Sequence, residues 1–156
     1  METDTVAVKG NWLIRAPRED LYAIFSNWEK MPEHFPQVAK KVDILEQNGT
    51  HLKVQAIAGS FASFLPGAKI TIDVELLPGR GYRCQTHNTT FNTTGEEKLL
   101  LVDDPAGTRI QYTYFVTVRN RKWRSLYAWL VKTFGLPFWK RAVIDRLPQL
   151  IANPQH

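Results

Sequence analysis

The sequence predicts an α+β fold in which a curved, seven-stranded antiparallel sheet grips a long C-terminal helix, with two short helices after the first strand. Three observations predict it. Alternation with turn signals recurs from about residue 38 to residue 118. From about Arg121 the apolar spacing turns helical. The chain has 156 residues, enough for one domain with a sizeable core, so residues 1–156 are read as a single domain. Hydrophobic residues at 44% and charged residues at 22% lie in the ordinary globular range, which excludes disorder for the body of the chain.

The elements follow in order. VAVKGNWLIR alternates as a strand. Pro17 suits a first helical position, and Glu19 and Asp20 favour the positive end of a helix. Leu21, Ile24, Phe25 and Trp28 then repeat at i, i+3, i+4, i+7, the apolar stripe of a short amphipathic helix. Pro32 and Pro36 bracket a second helical turn and keep it short. Six strands follow: VAKKVDILE, THLKVQAIA, AKITIDVELL, GYRCQTHN, TTGEEKLLLV and TRIQYTYFVTV. The segments Gln47-Asn48-Gly49, Pro78-Gly79-Arg80-Gly81 and Asp103-Asp104-Pro105-Ala106-Gly107 read as turns, and GSFASFLPG reads as a loop. Short connections between successive strands imply antiparallel pairing. In the final helix Trp123, Leu126, Tyr127, Leu130 and Phe134 share one face. Gly135-Leu136-Pro137 predicts a kink, because Pro137 cannot donate a hydrogen bond and crowds the preceding turn. The second half runs from Phe138 to about Leu147, with Trp139, Val143, Leu147 and Leu150 on its apolar side, and Pro148 and Pro154 mark its fraying end.

Charge is unevenly placed. The net charge is +5, yet from Arg119 onward eight basic residues face Asp145 alone, a local +7 that leaves −2 for the rest. No apolar leader and no uninterrupted apolar run of membrane-spanning length is present, and Cys84 is the one cysteine, so a cytoplasmic location is the default. His34, His51, His87 and His156 lack metal-ligand spacing, and no phosphate-binding or dinucleotide fingerprint occurs, so neither a metal nor a cofactor is expected. The basic residues Arg121, Lys122, Arg124, Lys140 and Arg141, interleaved with aromatic residues such as Trp139, suit transient contact with an anionic membrane surface or a partner protein. Nucleic acid is not expected, because no groove-reading motif or stacking platform accompanies the charge. Oligomeric state leaves no signature.

The strand ending in Arg15-Ala16-Pro17, the helix REDLYAIFSN, the segment NWEKMPEHFP and the terminal helix after the seventh strand together resemble the START-like or Bet v 1-like superfamily, which includes polyketide cyclase/dehydrase and lipid-transport proteins. The resemblance covers essentially the whole chain. MPEHFPQVAKKVDIL is similar to the Pro-x-Phe-x-Pro region of the coenzyme-Q-binding START subgroup, with the spacing shifted by a residue because His34 and Phe35 follow Glu33. The resemblance implies a helix-grip fold and an apolar ligand, such as a lipid, quinone or polyketide-like compound, held between sheet and helix.

Candidate cavity residues are those on inward strand positions and on the helix face above them. In the sheet they are Trp12, Ile72, Val74, Tyr82, Cys84, Thr86, Tyr112 and Tyr114. The loop contributes Phe61 and Phe64, and the helix Trp123, Tyr127, Leu130 and Phe134. Tyr112, Tyr114 and His87 are the candidate proton donors or acceptors for a cyclase/dehydrase-type enzyme. Cys84 reads as a core residue, since alternation puts His87 on the opposite face from it. Glu96-Glu97 and Asp103-Asp104 are adjacent carboxylates; strand neighbours face opposite ways, so they read as a solvated strand face and a turn. Three readings follow: a carrier of an apolar molecule, an acid/base enzyme acting in the same cavity, and a protein-interaction module working through the basic C-terminal segment.

Overall fold

A computed structural model of the chain describes residues 5–58, 68–88, 93–118, 129, 133 and 136–152. Its strands are β1 (Thr5–Ile14), β2 (Ala39–Asn48), β3 (His51–Ala58), β4 (Lys69–Leu77), β5 (Gly81–Asn88), β6 (Thr93–Asp104) and β7 (Gly107–Val118). They form one seven-stranded antiparallel sheet in the order β1-β7-β6-β5-β4-β3-β2. After β1 closes against β7, each remaining strand lies beside its chain neighbour, as short hairpin connections require. Register shifts between Ala39 and Lys41 and between Ile44 and Glu46 bend β2, a local bulge effect that curves the sheet edge.

Helix α1 (Arg18–Phe25), a 3-10 turn over Trp28–Lys30 and helix α2 (Met31–His34) follow β1. Leu21, Phe25 and Trp28 are buried, as the stripe predicts. Pro17 sits one position earlier than expected: it is the cap residue, with φ −64° and ψ 146°, and the helix begins at Arg18. The C-terminal segment contains α3 (Leu136–Ala142), a 3-10 turn over Ile144–Arg146 and α4 (Leu147–Ala152). The break falls at Val143, where the backbone leaves helical angles at φ −120° and ψ −64°. Pro148 therefore does not mark a fraying end. It lies in the first turn of α4, where a missing N–H costs nothing. The expected kink at 135–137 lies partly outside the described residues.

The turns are tighter than expected. Asn48 pairs with His51, and Asp104 pairs with Gly107, so two residues close each hairpin. Gly107 adopts φ 144°, and a Cβ there would lie 2.1 Å from the carbonyl oxygen of Ile14, so only glycine fits. The concave sheet face packs against both helical groups. Leu21, Val54, Val74, Leu99, Ile110 and Leu147 are among the fully buried members of the core they share. Thr108 is also fully buried, and its hydroxyl donates to the Ala16 carbonyl at 2.7 Å, tying the turn before α1 to the start of β7.

Candidate functional site

The site is built on three adjacent strands. Register places Cys84 opposite Glu97, Tyr82 opposite Leu99, and Glu97 opposite Tyr114, with Tyr112 opposite Leu99. Because side chains alternate, Gly95, Glu97, Leu99 and Leu101 of β6 all point to the concave face. Glu97 is thus the carboxylate that the sequence reading misplaced. Glu96 is exposed as expected, while Glu97 points inward among apolar and aromatic neighbours.

Its polar needs are met by two phenols. Tyr112 donates its hydroxyl proton to Glu97 Oε2 at 2.9 Å, and Tyr82 donates to Glu97 Oε1. No lysine or arginine of the described residues forms an ion pair with it. Burial pushes the carboxyl above the ordinary carboxylate range, and the two phenol hydrogen bonds pull it part of the way back. Burial, reinforced by the Glu97 charge, holds Tyr82 and Tyr112 well above the ordinary phenol value, so both remain donors at neutral pH. The Cys84 thiol is buried and pushed well above its ordinary value by the same causes, which leaves it protonated and a poor nucleophile.

Aromatic rings wall the cluster on two sides. Trp28 meets Tyr82 edge-on with centroids 5.1 Å apart. Trp139, from α3, stacks on Tyr112 at 4.0 Å and on Trp12 at 5.2 Å. Two glycines let rings lie flat on the sheet. A Cβ at Gly10 would lie 2.1 Å from Cη2 of Trp12, and a Cβ at Gly95 would lie 2.6 Å from Cε1 of Tyr114 and 2.7 Å from Thr86 Oγ1.

The sequence-predicted residues divide as follows. Trp12, Ile72, Val74, Tyr82, Cys84, Thr86, Tyr112 and Tyr114 share the concave face with Glu97. His87 does not join them: it is exposed on the outer face, because it is an odd number of residues from Cys84 on a regular strand. Phe61, Phe64, Trp123, Tyr127, Leu130 and Phe134 lie outside the described residues, as do Arg121, Lys122 and Arg124. Lys140 and Arg141 are exposed, and Lys140 pairs with Asp145 at 2.9 Å. Trp139, expected at a membrane or partner surface, instead packs inward on Tyr112 and Trp12. Phe138 also packs against the core, whereas Trp129 is exposed.

A cleft of about 650 Å³ opens on the outer face, lined by Asp73, Glu75, Arg83, Glu96, Lys98 and Phe115 among others. Its size does not make it the site. Cys84 and Glu97 border it through their strand, but their side chains alternate to the concave side, and the cleft offers salt-screened surface charges in place of a desolvated group.

No family model and no curated protein matches the chain. Solved structures do. One is the aromatase/cyclase ZhuI from Streptomyces sp. R1128, at 15% identity, covering 97% of this chain and 98% of that one, with a TM-score of 0.77. The protein TTHA0849 from Thermus thermophilus is similar at 14% identity, with 97% and 99% covered and a TM-score of 0.75. Norcoclaurine synthase from Thalictrum flavum is similar at 14% identity, with 97% and 88% covered and a TM-score of 0.70. At these identities the likeness shows the fold alone, a helix-grip fold in which an antiparallel sheet packs against a C-terminal helical segment.

Proposed function

We infer that the protein binds an apolar, oxygen-bearing small molecule, of the lipid, quinone or polyketide-like kind, between the concave sheet face and the C-terminal helical segment. The observation that carries this reading is Glu97, a carboxyl placed among apolar and aromatic side chains and held by two phenols. Apolar area supplies affinity, and a few convergent polar groups supply orientation. The buried indole N–H of Trp28, beside Tyr82, has no acceptor among the described residues, which supports a ligand carrying a hydrogen-bond acceptor. The similarity to aromatase/cyclases and to a norcoclaurine synthase solved with dopamine and hydroxybenzaldehyde supports ring compounds as the class to screen.

A second reading is favoured by the same carboxyl. A glutamate pushed above its ordinary range by burial holds a proton more readily than a solvated carboxylate and lies within reach of two phenols, the kind of group a cyclase or dehydrase uses to move a proton. Glu97 as carboxylate would take a proton from carbon beside a ligand carbonyl. A new carbon–carbon double bond would then form as a neighbouring hydroxyl leaves, and the same proton would depart with it as water. Tyr82 and Tyr112 would hold the carboxyl in place and stay protonated throughout.

Native mass spectrometry and quenching of tryptophan fluorescence, run against a panel of ring compounds, quinones and lipids, test the first reading. Binding of at least one class at micromolar concentration is expected, and no binding across the panel would reject it. With a ligand in hand, Glu97→Gln tests the second. Turnover should fall at least about 100-fold while binding survives. Ligands that bind but never turn over in the parent protein would leave the carrier reading standing and remove the enzyme.

A further inference from the structure

The two donors to Glu97 are supported by different parts of the molecule. Tyr82 is packed by Trp28, on the N-terminal side of the helical layer. Tyr112 has Leu99 across from it on one side and Gly10 on the other, and Gly10 offers no side-chain wall. That wall is supplied from a distance. Trp12 folds its ring back over Gly10, and Trp139 comes down from α3 to lie nearly parallel to the Tyr112 ring, at 20° and 4.0 Å. A phenol ring covered face-on cannot swing away from the sheet without displacing the indole that covers it.

We propose that Trp139 is a positioning residue of the Glu97 site, holding Tyr112 in the orientation from which its hydroxyl donates to Glu97. The C-terminal segment is thereby coupled to the protonation of a carboxyl on the sheet. This rests on the reading of Glu97 as the working group. When Trp139 is in place Glu97 accepts two hydrogen bonds; when it lifts, Glu97 keeps Tyr82 and loses Tyr112. Among the described residues, the titratable groups on the elements packed around Glu97 are few. Tyr82 and Cys84 face Glu97 from β5, and Tyr112 and Tyr114 from β7. On α3, Lys140 is exposed and paired with Asp145, and Arg141 is exposed. On α2, His34 lies against the Phe35 ring.

The sign of the effect separates positioning from mere covering. Losing the Tyr112 hydrogen bond removes stabilisation of the carboxylate, so the Glu97 pKa moves up. Losing cover alone admits water, which moves a burial-raised carboxyl down. The test is a carboxyl titration by carbon-13 NMR on protein labelled at glutamate Cδ, with the Glu97 signal assigned by its disappearance in Glu97→Gln. Parent, Tyr112→Phe, Trp139→Leu, Trp139→Phe and the double variant Tyr112→Phe/Trp139→Leu are compared. Tyr112→Phe and Trp139→Leu should each move the Glu97 midpoint upward by about half a pH unit or more. The double variant should move it no further than Tyr112→Phe alone, and Trp139→Phe, which keeps a flat ring, should restore the parent value. A rise in Tyr112→Phe with no change or a fall in Trp139→Leu would overturn the proposal and leave the Glu97 site intact. No rise in Tyr112→Phe would overturn both. If Trp139→Leu does not fold, Trp139→Met is read in its place by the same criterion, and a Glu97 midpoint unchanged or lowered in it would overturn the proposal.

Discussion

A carboxyl half-buried among apolar side chains is costlier as an anion than as an acid, and that difference governs how Glu97 responds to pH. Its folded value is raised above the unfolded one. The stability gained from its proton is therefore fully present below about pH 4.3, the unfolded value, and is lost as pH rises through the raised folded value. Glu97→Gln keeps the shape without the charge. In urea titrations the stability of that variant relative to the parent should climb between pH 4 and pH 8. A difference that stays flat across that range would show that the carboxyl is not raised. Gly95 makes the second prediction at this scale. Its missing Cβ is the space in which the Tyr114 ring lies, and Gly95→Ala forces the ring off the sheet. Overpacking of this kind costs about 1–3 kcal/mol, and the displaced ring would occupy ligand space. Thermal unfolding should show the stability loss, and fluorescence quenching should show affinity falling with it; affinity equal to the parent's would place the ligand away from Tyr114.

The strands themselves were readable because alternation repeats on every one of them and short turns separate them, as in the run from Ile70 to Leu76. What was not readable was the parity of β6. In GEEKLLLV either face takes one glutamate and two of the apolar residues that follow, so alternation alone does not choose. The register of the β6–β7 hairpin does choose. Once two residues close the turn, Asp104 faces Gly107, and Leu99 and Glu97 fall opposite Tyr112 and Tyr114. Reading that turn as five residues long hid the signal. The C-terminal elements carry a different lesson: Pro148 looks like a terminator in sequence, yet proline is equally at home in a first turn, and only the contacts around it decide. One of those contacts is testable. Arg146, in the 3-10 turn before α4, donates its Nε–H to the His34 carbonyl at 2.6 Å and so ties that turn to α2. Arg146→Met keeps much of the stem and removes the donor. A loss of about 1–2 kcal/mol in chemical denaturation is expected for a charged donor lost from a partly buried carbonyl. A loss near zero would mean that water replaces it.

At the scale of the molecule, the sequence put candidate cavity residues on the first half of the C-terminal helix and gave the second half both an apolar side, with Trp139, Val143, Leu147 and Leu150, and basic residues suited to a membrane or partner surface. The described residues show the second half doing core work. Ala142, Val143, Ile144, Leu147 and Leu150 are all buried in the same cluster as Leu21, Leu99 and Ile110, while Trp139 reaches the sheet by stacking. No helix among the described residues is long and apolar enough to cross a membrane. Periodicity marked these positions as apolar but not their partner, because an amphipathic stripe looks the same whether it meets a sheet, a bilayer or another chain. The two pictures predict different behaviour. If α4 were a detachable cover, truncating its apolar residues would weaken ligand binding and spare the sheet. As part of the shared core, Leu147 has no solvent-exposed area, so Leu147→Ala leaves a cavity among residues from the sheet and both helical groups. Such a truncation costs about 2–5 kcal/mol, against about 5–15 kcal/mol of total stability in a chain of this kind. For a chain of this length that corresponds to a Tm lowered by roughly 10 °C. Far-ultraviolet circular dichroism, which follows the sheet, and tryptophan fluorescence, to which the stacked Trp12 and Trp139 contribute along with the other three tryptophans, should shift together to the lower temperature. If fluorescence alone shifted while the sheet melted at the parent temperature, the C-terminal elements would be a separable layer and the coupling between Trp139 and Glu97 would lack its mechanical basis.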